Sequence, residues 1–274
     1  MKKVILLFLL IAGLVLSLAA CGGGGNGDLT VVRIGVVGEF NDHWDTINEL
    51  LAEDGIRVEL VRFSDFATPN RALSDGDLDL NAFQHKMFLN AEIASQGYEI
   101  EYIAETFVVP LNIFSGNDSI TSIADIQDGH VIGIPSDPTN GGRSLLVLEA
   151  AGLIVLDTPE GEHPTRFDIV EYIVAIDIVE AEAVLLPALL ADVDAAVIGG
   201  INAVTAGLRP IEDSIFREDV TGADHLINVI AVRSADLQNA ELVAIFDAIV
   251  RAHHTEIVRE NMLNDFGGAF IPVW

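Results

Sequence analysis

Apolar positions along the first half of the chain alternate between the period of a strand and the period of a helix. Val31–Val37 is a β-branched run that predicts a strand, and Ile56–Leu60 alternates apolar with charged residues, as a half-buried strand does. Between these runs the spacing is helical, with apolar residues at Trp44, Ile47, Leu50 and Leu51. We therefore predict strand, helix and strand, followed by a helix over 69–73, a strand over 77–82, and a strand over 108–114 that Pro110 interrupts.

The same order of elements restarts in the second half. We predict a strand over 131–134, a helix that begins near Arg143, strands over 172–178 and 195–198 with a helix over 181–190 between them, a strand over 228–232, and a C-terminal helix with an apolar stripe over 242–250. Two β/α series in tandem are typical of an α/β protein with two lobes and parallel sheets. A cleft between the lobes is then the natural place for a ligand.

The N-terminus has the pattern of an export signal. Lys2 and Lys3 precede an apolar run over 4–20, and Leu18-Ala19-Ala20-Cys21 resembles the bacterial lipobox, in which the cysteine is acylated and becomes the new N-terminus. We expect residues 1–20 to be a lipoprotein signal peptide, Cys21 to carry the lipid, and residues 21–30 to be a glycine-rich tether. The alternative is an uncleaved membrane anchor. Both place the rest of the chain on the extracytoplasmic face of the membrane.

Composition narrows the range of functions. The 274 residues include 42 acidic and 14 basic side chains, for a formal charge of −28, so the surface repels phosphate backbones and nucleic acid is not expected as a partner. Cys21 is the single cysteine, which excludes an intramolecular disulfide and a cysteine-based metal cluster. Histidine pairs with ligand spacing and catalytic motifs are absent from the sequence, and His253 and His254 read as surface or structural residues. We expect no metal, no cofactor and no catalytic residue.

The segment Pro135–Arg143 is the strongest candidate for binding an anion. Its prolines fix the chain, its two glycines permit left-handed backbone, and a helix begins near Arg143, whose guanidinium can grip a carboxylate with two hydrogen bonds. The alternative is an ordinary loop in which Asp137 or Thr139 caps the helix and Arg143 is a surface charge.

A second candidate lies at the end of the strand predicted over 77–82. Asn81-Ala82-Phe83-Gln84-His85 occupies the edge where ligands bind in open α/β sheets. Phe66, Phe83 and His85 are suited to the walls of an apolar pocket. Buried phenylalanine is also common in plain core, and that alternative stays open.

Several motifs in this order are similar to those of a known family. The motifs are Phe63-Ser64-Asp65-Phe66 with Pro69-Asn70, Asn81-Ala82-Phe83-Gln84-His85, Ile134-Pro135-Ser136-Asp137-Pro138-Thr139-Asn140 with Gly142-Arg143, and Asp194-Ala195-Ala196-Val197-Ile198. They resemble the methionine-binding (NlpA-type) lipoproteins, the extracytoplasmic receptors of methionine ABC importers. The likeness runs from about Arg33 to Trp274. It implies a two-lobed type II periplasmic-binding fold, with lobe 1 over 31–112 and 229–274 and lobe 2 over 113–228.

The resemblance also implies roles for individual residues. Arg143 would grip the ligand carboxylate, Asn140 would lie beside it, and Asn228 would help to hold the amino group, while Phe83 and His85 would surround the apolar side chain. Two positions depart from the family pattern. Phe66 stands where a tyrosine is usual, and Gly199 stands where an asparagine that contacts the ligand is usual. Asn202, three residues later, is not expected to point to the same spot.

These features predict a monomeric, lipid-anchored binding protein for L-methionine or a related amino acid, which it delivers to an ABC permease and its ATPase. A methionine-containing dipeptide or another small carboxylate is the nearest alternative, because Gly199 leaves room near the charged end. An extracytoplasmic enzyme and an adhesin or signalling module on the same fold are further alternatives.

Overall fold

The computed structural model describes residues 29–159 and 162–274. The signal peptide, Cys21 and most of the tether predicted from the sequence lie outside these residues. Within them, no helix is both long and apolar enough to cross a bilayer.

Strands and short helices alternate through the described residues. The strands β1 to β13 are Thr30–Val37, Ile56–Phe63, Leu80–His85, Ile100–Val108, Leu111–Ser115, Val131–Pro135, Ile154–Leu156, Ile169–Tyr172, Asp177–Ala181, Ala195–Gly199, Ser214–Arg217, Ile227–Arg233 and Ile271–Pro272. The α-helices α1 to α8 are His43–Leu51, Thr68–Asp75, Lys86–Gln96, Pro138–Ala150, Leu186–Leu189, Gly200–Thr205, Ala240–His253 and Glu256–Asp265.

The strands form two large sheets of mixed direction. The first has the order β13-β4-β12-β3-β1-β2, and the second has the order β11-β5-β10-β6-β9. In the first sheet β2, β1 and β3 are parallel neighbours, whereas β12 runs antiparallel to both β3 and β4. In the second, β10, β6 and β9 are parallel, whereas β5 is antiparallel to β10 and to β11. The expectation of wholly parallel sheets is therefore wrong.

The chain passes from one sheet to the other through antiparallel strands. Residues 109–110 join β4 to β5, and residues 218–226 join β11 to β12. Lys86 holds the second link to the first sheet, because its Nζ lies 2.6 Å from Glu105 of β4 and 3.0 Å from Asp224.

Three sequence predictions need correction. The strand predicted over 108–114 is the end of β4 and the start of β5, which belong to different sheets. The alternation over 172–178 covers the end of β8, a bend, and the start of β9, and β8 pairs only with β7 in a small separate sheet. The helix predicted over 181–190 is a 3₁₀ turn and the four-residue α5. In the first two cases an apolar pattern spans a change of sheet, which periodicity does not register.

Each large sheet has its own hydrophobic core. In the first, α1, α7 and α8 pack with β1, β2 and β12 around Trp44, Ile47 and Phe246. In the second, α4 packs over β6 and its neighbours through Leu145 and Leu148. Most of the apolar residues predicted for α1 and α7 enter the first core; Leu50 is exposed, and the half-buried Val243 is not part of that core.

Two histidines are buried in the first core. The rings of His43 and His253 lie 5.9 Å apart among Trp44, Phe107 and Phe270. The Nδ1 atoms of both histidines have no hydrogen-bond partner among the described residues. Burial lowers the pKa of His43 to about 3 and the pKa of His253 well below its ordinary value. Both rings are therefore neutral near pH 7, and His253 is structural rather than a surface residue.

We predict that stability falls as the pH is lowered from 7 to 5. The unfolded chain binds protons on these histidines near pH 6.5 and the folded chain does not, so each buried histidine costs on the order of 1 kcal/mol per pH unit below that value. Replacement of His43 by phenylalanine removes one such group and should flatten the slope. Urea unfolding at pH 7, 6 and 5 measures how the free energy of unfolding changes with pH. Replacement of the exposed His225 is the control, and equal slopes for wild type and His43→Phe would contradict the argument.

Candidate functional site

A pocket lies between the two large sheets, where their parallel strands end. Val37, Pro135 and Gly199, the last residues of β1, β6 and β10, line it, and β3 contributes Phe83 and His85 at its own end. The empty space between the lining atoms, including the solvent-filled mouth, is about 660 Å³. The six residues proposed from the sequence as ligand-binding all line this one pocket, namely Phe66, Phe83, His85, Asn140, Arg143 and Asn228.

Three phenylalanines form one wall. The rings of Phe66 and Phe83 are stacked with centroids 6.2 Å apart, and the ring of Phe88 meets both edge-on. Such arrangements of aromatic rings are favourable and leave an apolar surface for a ligand side chain. Phe88, at the start of α3, was missed from the sequence because that helix was not predicted.

A buried amide network fixes the backbone behind this wall. Asn70 of α2 donates to Gln84 of β3, and its own carbonyl accepts hydrogen bonds from Asn81 and Gln84 at 2.9 and 2.6 Å. All three side chains are buried, and buried polar groups that satisfy one another hold a single geometry. The network therefore joins α2 to β3 and positions Phe83 between Asn81 and His85.

His85 connects the two halves of the pocket. Its Nδ1 accepts a hydrogen bond from the Phe88 amide, which leaves the proton on Nε2 to be donated to Asn140 Oδ1 at 3.2 Å. Burial, and next the positive charge of Arg143, lower the pKa of His85 to about 3. The ring is thus a neutral donor at physiological pH, and its hydrogen bond reaches from β3 in the first sheet to α4 beside the second.

The N-terminus of α4 is capped from within the chain. Asp137 is the N-cap residue, and its Oδ1 accepts from the Asn140 amide at 2.9 Å and from Thr139 Oγ1 at 2.9 Å. This matches the capping alternative, but Arg143 is 5% exposed and is not a surface charge. The helix begins at Pro138, five residues earlier than predicted, because Pro138 at the first helical position suits a helix start.

Gly141 and Gly142 have a different role from the one expected. Both lie in helical conformation, so neither uses left-handed backbone. A Cβ at Gly141 would lie 2.8 Å from the carbonyl oxygen of Pro135, and a Cβ at Gly142 would lie 2.7 Å from that of Pro164. The glycines therefore allow two backbone segments to approach the N-terminal part of α4, where Asn140 and Arg143 line the pocket.

Two of the three guanidinium nitrogens of Arg143 already donate hydrogen bonds within the protein. Its Nε donates to Glu218 Oε1 at 2.7 Å, and its Nη2 donates to Glu218 Oε2 and to the Val109 carbonyl oxygen. Glu218 Oε2 also accepts from the Leu111 amide at 2.8 Å. The two-bond grip expected for a ligand carboxylate is thus made to Glu218, and Nη1 is the remaining donor nitrogen. Glu218 was missed because one acidic residue among 42 carries no sequence signal.

Two asparagines, Asn228 and Asn202, and Gly199 complete the lining of the pocket near Arg143. Asn228, the second residue of β12, pairs with His85 of β3, and Asn202 of α6 is buried. Neither side chain has a hydrogen-bond partner in the part of the chain that the structure describes. Asn202 lines the same pocket as Gly199, although we did not expect its side chain to point to the spot left empty by Gly199. At Gly199 an added Cβ would meet only Leu111 Cδ2, at 3.7 Å, so a side chain fits there.

The chain matches the family model described as NlpA lipoprotein over residues 32–274. It belongs to the NlpA lipoprotein family. The resemblance drawn from the sequence motifs is therefore confirmed.

Several known proteins are similar to this chain in sequence or in structure. The chain is 38% identical over 272 residues to the D-methionine-binding lipoprotein MetQ of Escherichia coli, with 97% of each chain covered. It is 33% identical to the substrate-binding protein of a methionine transporter from Streptococcus pneumoniae, with a TM-score of 0.84 and coverage of 89% and 96%. A nutrient-binding protein from Burkholderia cenocepacia bound to methionine is 32% identical, with a TM-score of 0.81 and coverage of 89% and 100%. The two-lobed periplasmic-binding fold predicted from the sequence is confirmed.

We predict that Gly142→Ala lowers stability by about 1–3 kcal/mol, because the added methyl group forces backbone apart at Pro164. Gly199→Ala adds the same methyl group to the pocket surface with ordinary contacts and should leave stability almost unchanged. Denaturant midpoints of the two variants and the wild type test this. If both variants unfold at the wild-type midpoint, the close approach at Gly142 is not needed.

Proposed function

We propose that this NlpA-family protein captures methionine in the pocket between its two sheets and delivers it to an ABC importer. The observation that carries the proposal is the division of one pocket into an apolar wall, formed by Phe66, Phe83 and Phe88, and a polar side with Arg143, Asn140 and Asn228. An amino acid with an apolar side chain is divided in the same way, into an apolar side chain and a polar end that carries the amino and carboxylate groups. Relatives named for methionine binding make methionine the first choice.

The polar side supplies groups for both charged ends of an amino acid. Arg143 Nη1 is suited to donate to the carboxylate, and the side-chain oxygens of Asn228 and Asn202 are suited to accept from the ammonium group. The thioether would lie against Phe66 and Phe83, since sulfur packs favourably against aromatic rings. His85, as a neutral ring, borders both regions.

We further propose that residues 31–108 with 227–274, which carry the first sheet, and residues 111–217, which carry the second, act as the two lobes of the receptor. The boundaries predicted at 112/113 and 228/229 then shift by about two residues each. The links at 109–110 and 218–226 would be the hinge, and the hydrogen bond between His85 and Asn140 would form as the lobes close. A ligand that contacts both lobes would then favour the closed state.

The proposed receptor is a monomer that does not catalyse a reaction. The described residues that line the pocket include no serine, threonine, cysteine or lysine to act as a nucleophile. His85 would be a poor general base at neutral pH, because its pKa is about 3 and its Nδ1 already accepts a hydrogen bond.

Calorimetry with L-methionine and D-methionine tests the proposal. We expect the wild type to bind at least one of them, and Phe83→Ala to bind about 10- to 100-fold more weakly, since burial of such a side chain is worth about 1.5–3 kcal/mol. Phe167→Ala is the matched control, because Phe167 is 98% exposed outside the pocket. A wild type that binds neither enantiomer would refute methionine as the ligand.

We predict that Gly199→Asn strengthens binding of L-methionine by about 1 kcal/mol, the typical net value of one hydrogen bond. The asparagine side chain fits, and it replaces a polar contact near the charged end of the ligand. Gly199→Ala fills part of the same space without a hydrogen bond and serves as the control. Equal affinities of the two variants would mean that residue 199 does not reach the ligand.

Titration of both variants with a methionine-containing dipeptide tests the nearest alternative ligand. The open space at Gly199 favours such a ligand, whose extra bulk near the amino group would fill it. A natural dipeptide ligand would bind the wild type more tightly than methionine and would be weakened by Gly199→Asn through steric overlap.

We predict that Cys21→Ser releases the protein from membranes. The proposed acyl chains attach only through this sulfur, and a surface with a formal charge of −28 does not adhere to anionic lipid. Fractionation of cells that express the wild type and the variant measures the outcome. A Cys21→Ser protein that stays membrane-bound after loss of residues 1–20 would contradict the lipid anchor.

A further inference from the structure

Arg143 is the one side chain with a permanent charge among the described residues that line the pocket. It is 5% exposed, and a buried charge is stable only when a partner compensates it. The identity of that partner decides the net charge that the pocket presents to a ligand.

Glu218 is the partner. Its carboxylate receives Nε and Nη2 of Arg143 side by side, and its side chain is 12% exposed. Its backbone is fixed as well, since the Glu218 amide donates to the Leu111 carbonyl oxygen at 3.0 Å. The pair joins the helix α4 to both links between the sheets, so its geometry does not depend on a flexible side chain alone.

The positive charge beside the pocket is thus already balanced. Asp137, half-buried and hydrogen-bonded to Asn140, adds a negative charge on the same side. His85 adds none near neutral pH, because burial lowers its pKa to about 3. A ligand with a net charge of −1 would bring an uncompensated charge into this pocket, whereas a zwitterion would not.

We propose that Glu218 is a specificity-determining residue, which neutralises Arg143 so that the pocket selects a zwitterionic amino acid over a simple carboxylate of the same shape. This inference rests on the proposed function, because it assumes that the ligand carboxylate lies next to Arg143. Glu218 acts through Arg143 and is a positioning residue rather than a direct contact.

The experiment compares L-methionine with 4-methylthiobutanoate, which is methionine without its amino group. Calorimetry on the full-length protein in detergent gives the ratio of the two affinities within each variant, so a reduced folded fraction cancels. We expect the wild type to prefer methionine strongly. Glu218→Gln keeps the shape but removes the charge and at least one hydrogen bond from Arg143, because an amide nitrogen does not accept one. It should lower that preference by about tenfold or more.

Two variants separate charge from structure. Glu218→Asp keeps the charge on a shorter side chain and should retain the preference even if both affinities fall. Glu212→Gln removes a carboxylate from an exposed ion pair with Arg209 and should leave the preference unchanged.

The inference is overturned if Glu218→Gln keeps the wild-type preference, or if Glu218→Asp loses it to the same extent. If Glu218→Gln does not fold, Glu218→Asp and the wild type carry the test. A wild-type preference that Glu218→Asp retains supports the inference, whereas equal binding of the two compounds by the wild type, or loss of the preference in Glu218→Asp, overturns it. Wild-type binding of methionine with an unchanged ratio in Glu218→Gln refutes only the role of Glu218. A wild type that binds neither compound refutes the proposed function, and this inference with it.

Discussion

The buried ion pair between Arg143 and Glu218 is the interaction on which the arrangement of the site depends. It connects the second turn of α4 to Val109, in one link between the sheets, and to Leu111, where β5 begins, and Glu218 itself lies in the other link. Buried ion pairs contribute little net stability, yet removal of one partner costs several kcal/mol because the other charge is left uncompensated. The pair is therefore best understood as a device that fixes geometry and local charge at the point where the two sheets meet.

Close packing makes this ion pair possible. Gly141 and Gly142 let the carbonyls of Pro135 and Pro164 approach α4 to distances that a side chain would forbid. Asp137 caps the same helix, so the amide groups of its first turn are partly satisfied without a ligand. The helix terminus thus serves to position Asn140 and Arg143, and the hydrogen bonds to a ligand would come from side chains rather than from a free helix N-terminus.

Sequence patterns predicted the fold and most of the pocket for a physical reason. Parallel strands bring their carboxyl ends to one edge, so Phe83, His85 and the residues after β6 meet even though they are far apart in sequence. Sequence patterns did not predict the features of the fold that depend on tertiary contacts. Periodicity does not show that the chain changes sheets at Val109 and Pro110, nor that the alternation over 172–178 is broken by a bend. Glu218 gave no local signal, because its role depends on a partner 75 residues away.

A crystal structure of the protein with bound L-methionine tests the central claim most directly. The account predicts the ligand between the two sheets, with its thioether against Phe66 and Phe83 and its carboxylate within hydrogen-bond distance of Arg143 Nη1, while Glu218 keeps both hydrogen bonds to Arg143. Methionine outside this pocket, or a carboxylate that displaces Glu218 from Arg143, would contradict it.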